Sequence, residues 1–377
     1  MIDVAIVGGG PVGLYLAALL LQEGLGVRVL EQRLERDSHS RAIGIHPPAL
    51  AALDRAGVAP ELAAAGVAIR RGRAYSGGKL VGTMSFESVS RQFPFVLSLP
   101  QSRTEACLER RVQELDSFAL ARGARVTGIK DDGGAVTLAA TSGGVDTHLE
   151  SALAVAADGA HSTMRDLLGI SVRTKRYPDH YVMGDFADVG SFGAEAVLFL
   201  EEGGIVESFP LPGGLRRWVV RVGRPCGVPA VAELAVLVHQ RTGIQLEAGS
   251  NTMLSSFSTR SAIGPRMVAG RAVLIGDAAH EVSPIGGQGM NLGWLDAEAL
   301  APIICDALGA RPVGRRLKDF ELLRRRAAVV ARRQSEVNML LGRPFSQPWL
   351  GLRNHAIGAV ASVQPLNRLV ARRFTMH

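Results

Sequence analysis

The chain has 377 residues, of which 47% are hydrophobic and 20% charged, a globular balance that excludes disorder and exceeds what one small core needs. Its net charge of +7 suits anionic ligands such as phosphates and equally an Arg-rich genome, but no basic run interleaves with aromatics, which excludes a nucleic-acid reader. Cys107, Cys226 and Cys305 stand apart without ligand spacing, which excludes a disulfide framework and a metal site of the zinc type.

Residues 2–7 are an apolar, β-branched run ending in "GGGPVG", and helical spacing follows it. The run is too short to span a bilayer and has no basic leader, so a soluble, cytoplasmic protein is expected. A second strand is predicted over residues 27–33, which completes a βαβ unit. "SRAIGIHPPALAALDRAGV" opens as a loop and turns helical near Pro48, and residues 64–98 hold short alternating pieces punctuated by glycine. A helix is expected over residues 102–115, then three short strands over residues 124–157. Strands dominate from Tyr177 to about Ser258, a helical piece lies within residues 228–243, and "AVLIGD" returns to strand. From Leu292 onward the pattern is helical, including an Arg-rich stretch expected to pack by its apolar side. The order suggests an α/β nucleotide-binding body interrupted by a mostly β insert.

Three constellations carry chemistry. In the first, Gly8 permits a sharp turn off the strand, Gly10 lets backbone approach a pyrophosphate, and Gly13 lets helix and strand pack closely. Pro11 and Val12 open the helix, whose free N–H groups and positive dipole end attract phosphate. Glu31, with Gln32 and Arg33 after it, ends the second strand where a carboxylate can accept ribose hydroxyls. This pattern binds a dinucleotide without distinguishing FAD from NAD. The second is "DGAHSTMR", with Asp158, Gly159, Ser162 and Arg165; alone, it reads as a helix cap. The third is "GDAAHEVSPIGGQGMN", where Asp277 ends a strand and Pro284, Gly286, Gly287 and Gly289 form a turn onto a helix. His280 is expected to support that loop.

In this order and at this separation, the three motifs resemble those of the class A FAD-dependent aromatic hydroxylases, the monooxygenases similar to p-hydroxybenzoate hydroxylase. The likeness covers nearly the whole chain. "SRAIGIHPPAL" is similar to the segment carrying an arginine near the flavin phosphates, here Arg41, and "LPQSRTEACL" to the one carrying a ribityl-contacting glutamine, here Gln101. The resemblance implies a Rossmann-type FAD-binding domain over residues 1–68, 98–175 and 263–377, with a helical C-terminus. The inserted, mostly β substrate-binding domain would take residues 69–97 and 176–262. It places Asp277 on the ribityl or pyrophosphate region, Met290 and Asn291 near the flavin's pyrimidine edge, and Pro284 with Gly289 at its ring. Asp158 and Gly159 belong to the motif shared by FAD and the pyridine nucleotide.

The implied activity is hydroxylation of an aromatic or polycyclic substrate with O2 and NADH or NADPH, through a flavin C4a-hydroperoxide. The apolar insert favours a hydrophobic ring or polycycle over a small charged benzoate. No catalytic base stands out: His46, His180 and Tyr181 lie in plausible regions but read first as structural residues. Two other readings stay open, an FAD-dependent reductase or dehydrogenase of the same fold and a non-enzymatic flavoprotein that sequesters an aromatic ligand.

Overall fold

The structure is a computed structural model that describes residues 2–36, 42–225 and 227–376. Arg41 and Cys226 lie outside the described residues. In chain order the elements begin with β1 (Ile2–Val7), α1 (Pro11–Gln22), β2 (Val27–Glu31), β3 (Gly44–Ile45), α2 (Pro47–Arg55), α3 (Ala59–Ala65), β4 (Val67–Ile69), β5 (Arg71–Ser76), β6 (Lys79–Ser85) and β7 (Val96–Ser98). They continue with α4 (Gln101–Leu115), β8 (Leu120–Arg122), β9 (Ala124–Asp131), β10 (Val136–Ser142), β11 (Val145–Ala156), α5 (Thr163–Leu167), β12 (Thr174–Ala187), β13 (Ala196–Phe199), β14 (Val206–Leu211), β15 (Leu215–Val222) and α6 (Val231–Thr242). The last are β16 (Met253–Ile263), β17 (Val268–Ala269), β18 (Ala272–Leu274), β19 (His280–Glu281), α7 (Gln288–Leu308), α8 (Gly314–Leu341), α9 (Trp349–Ser362) and α10 (Gln364–Phe374).

The first large sheet runs β17-β18-β11-β1-β2-β8, with β10 and β9 continuing from β11 as an antiparallel meander. Its central strands are parallel, with Val4 opposite Val27 and Ile2 opposite Ser151. Read in chain order, β8-β2-β1-β11-β18 is a 3-2-1-4-5 arrangement, so the chain reverses direction across the sheet between β1 and β11. Ligands of such folds sit beyond the carboxyl ends of the strands at that reversal. Helix α1 is apolar nearly all round, which fits its burial: the sheet lies on one side and α4 and α7 on the others. Val12 fits against α7 because Gly293 has no side chain; a Cβ there would lie 2.4 Å from Val12 Cγ2.

The second large sheet runs β19-β16-β12-β15-β14-β13-β5-β6 and is antiparallel except where β13 pairs with β5. Alternation along its strands gives it two apolar faces. Val182, Phe186, Trp218 and Val220 pack against α6, while Tyr181, Met183 and Val219 join Ile285 and Met339 on the other face. A small sheet, β3-β7-β4, is drawn from the stretch of chain between β2 and β8. Helices α9 and α10 pack against β6 of the second sheet. No helix among the described residues is long and apolar enough to cross a membrane.

Candidate functional site

A cavity of about 1690 Å³ is lined from both large sheets and from α8, α9 and α10. Pockets for one drug-sized molecule span about 300–1,000 Å³, so this one has room for a cofactor and a substrate together. Its two halves differ in chemistry.

One half lies at the β1–β11 reversal. Gly8 sits at φ +110°, and a Cβ there would strike the Ala157 carbonyl oxygen at 2.4 Å; at Gly13 a Cβ would lie 2.0 Å from the Gly8 carbonyl oxygen. Both positions therefore require glycine for the turn and the helix to close on the sheet. Gly10 is different. No non-neighbouring atom lies within 4 Å of where its Cβ would be, so the open space there faces the cavity. The first N–H groups of α1 receive no side-chain cap, which leaves them available to an anion. Pro11 and Val12 also line the cavity, whereas Gly13 is sealed beneath them.

At the end of β2, buried Glu31 accepts from Gly9 N at 2.7 Å and from Arg33 N and Nε at 2.9 and 3.0 Å. Burial alone would raise its pKa, but Arg33 and the two amides hold the carboxyl below the usual range. Gln32 and Arg33 extend this edge of the cavity. Gln101, at the start of α4, lines it too and donates to Glu105 at 2.7 Å.

Asp158 and Gly159 close the turn after β11 and also line the cavity. Both Asp158 carboxylate oxygens are engaged, by Ser162 Oγ at 2.5 Å and Met164 N at 3.0 Å, so its side chain secures the start of α5. Arg165 then donates to the carbonyls of Ala160 and Ala278, at 3.1 and 3.2 Å, and so ties this turn to the loop that holds Asp277. That bridge joins the second and third motifs.

Asp277 faces the cavity with no protein hydrogen-bond donor among the described residues, and burial pushes its carboxyl up to about 6. Behind it, fully buried Asp296 of α7 accepts from Gly276 N at 2.9 Å, His280 Nε2 at 2.6 Å and Arg324 Nε at 2.6 Å. His280 thus supports the loop as expected. Burial would lower its pKa, and the Asp296 carboxylate overcomes this and raises it. Gly287 caps α7 at φ +67° without a side-chain acceptor, so the helix's first amides also open toward the cavity beside Pro284, Gly289 and Met290. Asn291 does not line it. Its side chain accepts from His46 N at 2.8 Å and donates to the carbonyls of Gly44 and Gly287, at 3.0 and 2.6 Å, locking the β3 loop onto α7. His46 borders the cavity and stacks on Phe374, with ring centroids 5.5 Å apart.

Bare turns, uncapped helix ends and an acceptor lacking a donor are what a phosphate-linked dinucleotide with a polyol chain would satisfy. The residues present fit FAD.

The other half is apolar. Met183, Leu198, Val219, Phe209 and Phe257 wall it from the second sheet, and Ile357 covers it from α9. Tyr181 lies beneath this wall, stacked on Phe257 at 5.3 Å, and does not reach the cavity. His180 borders it, with Nδ1 and Ser258 Oγ 2.8 Å apart. One acidic group interrupts the wall, and sequence reasoning missed it: Glu207 of β14. In "GIVESFPLP" it occupies an alternating polar position that reads as solvent-facing, although that face is the cavity's.

Residues 1–335 match a family model described as an FAD binding domain. The anhydrotetracycline monooxygenase of Streptomyces rimosus is 30% identical over 385 residues, an alignment that takes in 98% of this chain and 75% of that protein. Among solved structures, the anhydrotetracycline hydroxylase from Streptomyces rimosus aligns with a TM-score of 0.83 and 29% identity, covering all of this chain and 76% of the other. The p-nitrophenol 4-monooxygenase from Pseudomonas putida DLL-E4 shares the fold at a TM-score of 0.90 and 23% identity, over 100% and 98% of the two chains.

Proposed function

The chain belongs to the FAD-binding-domain family of flavoprotein aromatic monooxygenases, and from that premise we propose that it hydroxylates a hydrophobic aromatic or polycyclic compound, with NADH or NADPH as reductant. The observation that carries this reading is the single cavity joining the Gly8–Gly13 turn to the apolar wall of the second sheet. We assign the first sheet and its helices to the cofactor and the second sheet, with α9 and α10 against β6, to the substrate.

In this assignment the α1 amides and Gly10 receive the pyrophosphate, Glu31 the adenosine ribose, and Asp277 the ribityl hydroxyls. Gln101 lies along the same path. Arg41 belongs to it by its motif alone. The amides at the start of α7, beside Gly289 and Met290, would hold the ring end of the flavin and stabilise negative charge there. When bound, FAD would supply the two-electron redox chemistry that couples a nicotinamide reductant to O2. Pro284 and Ile285 press the turn against the sheet, while Ile357 and Phe374 close the far side, so the chain's own contribution is to orient the substrate ring and exclude water.

The names of the relatives favour a monooxygenase over a reductase or a ligand-sequestering flavoprotein. The test is substrate-stimulated consumption of NAD(P)H and O2 in equal amounts, with a product heavier by one oxygen atom. Substrate reduction without oxygen gain, or H2O2 release indifferent to every aromatic tried, contradicts it.

A further inference from the structure

The second sheet places four acidic groups on its cavity side, Asp179, Asp185, Glu207 and Glu281, and three of them are paired, Glu281 with Arg260 at 2.7 Å. Asp185 receives Arg217 Nε and an Arg217 terminal nitrogen at 2.7 and 2.8 Å; Asp179 receives Arg221 at 3.0 Å and Arg343 at 3.1 and 2.7 Å. Glu207 has no such partner. Its backbone sits between Leu198 of β13 and Val219 of β15, with Phe209 two residues along the same face. No hydrogen bond or ion pair to its carboxylate occurs among the described residues. Burial pushes its carboxyl up to about 7. An unpaired carboxylate in an apolar wall weakens the fold unless it serves something that enters later.

Resting on the monooxygenase reading above, we propose that Glu207 is the specificity-determining residue of the substrate half: it accepts a hydrogen bond from the hydroxyl or amino group of an otherwise apolar aromatic ring and turns away rings that carry a carboxylate. The geometry supports this on two counts. The surrounding side chains Leu198, Val219, Phe209 and Ile285 offer a ring only apolar contact, so one acceptor at a fixed point sets its orientation. Of the arginines that line the cavity, Arg217, Arg73 and Arg260 are already engaged with Asp185, Glu195 and Glu281, so an incoming carboxylate would meet the repulsion of Glu207 with these counter-charges committed elsewhere. A site built to bind a donor rejects an analogue lacking it more strongly than an apolar pocket rejects a difference in size.

The test is equilibrium dialysis of the oxidised, flavin-loaded protein against 1-naphthol, 1-methoxynaphthalene and 1-naphthoate, which reads binding without turnover. At pH 8.5, above the raised value of the Glu207 carboxyl, the native protein should prefer 1-naphthol over its methyl ether by about tenfold or more, the scale of a hydrogen bond to a charged acceptor. Glu207→Leu should erase the preference, and Glu207→Gln, which keeps the shape of the wall, should shrink it and admit 1-naphthoate. No naphthol preference in the native protein, absence of binding included, overturns the assignment, as does a preference that survives in both variants. Because O2 consumption is measured separately, a preference without turnover faults the monooxygenase reading, whereas turnover without a preference faults the role of Glu207 alone.

Discussion

Replacing Asp296 by Asn removes the charge on which the Asp277 loop hangs. The native carboxylate takes three donors, from Gly276, His280 and Arg324, and is wholly excluded from solvent; the Arg324 side chain retains 16% of its exposure. The amide can accept at only one oxygen and presents an N–H group toward a donor. Breaking a buried pair of this kind costs about 3–5 kcal/mol, and the residual exposure of Arg324 argues for the lower end. At about 2 °C per kcal/mol for a large chain, Tm should fall by about 6 °C. The pH profile should change as well. The raised pKa of His280 gives stability that is complete below the ordinary imidazole value of about 6.5 and is lost as pH rises through the raised value. The lowered pKa of Asp296 gives stability present above the ordinary carboxylate value and lost as pH falls through the depressed one. Circular-dichroism melts of native and Asp296→Asn protein from pH 4 to 9 check this. A variant that melts within about 1 °C of the native protein and keeps its alkaline limb would refute the buried-network argument.

The glycine turn separates packing from binding. Gly13→Ala forces a Cβ against the Gly8 carbonyl and should destabilise the apoprotein by about 1–3 kcal/mol, seen in urea denaturation. Gly10→Ala meets open space, so apoprotein stability should hold while FAD affinity drops about tenfold or more in a flavin titration. Asp277 should accept poorly once protonated. FAD affinity is therefore expected to weaken as pH falls below about 6, with His280, Glu281, Asp296 and Arg260 as its charged surroundings, and Asp277→Asn should flatten that dependence. Arg165→Met removes the bridge to Ala278 and Ala160, and native-state hydrogen exchange should then quicken in both turns together.

What could be read from sequence was what is locally encoded. The glycine spacing at Gly8, Gly10 and Gly13 demands a particular backbone, and the apolar runs around it mark strand and helix without distant information. Strands β12 to β15 fall where residues 177–222 alternate. Strand β8 escaped notice because three residues next to a Gly turn carry too little pattern, although the parallel sheet uses them as its edge. Pairings between distant segments were invisible: Asn291 reads as a motif residue, yet its side chain is consumed by Gly44, Gly287 and His46. Glu207 was hidden for a different reason. Alternation tells which residues share a face but not whether that face meets bulk water or an internal cavity.

Titration of apoprotein with FAD and with FMN tests the account most directly, because only FAD carries the adenosine half that the Gly8–Gly13 turn and Glu31 are shaped to hold. The account predicts saturation at one FAD per chain, with FMN binding far more weakly. Equal affinity for the two flavins, or a protein that stays colourless with both, would contradict it.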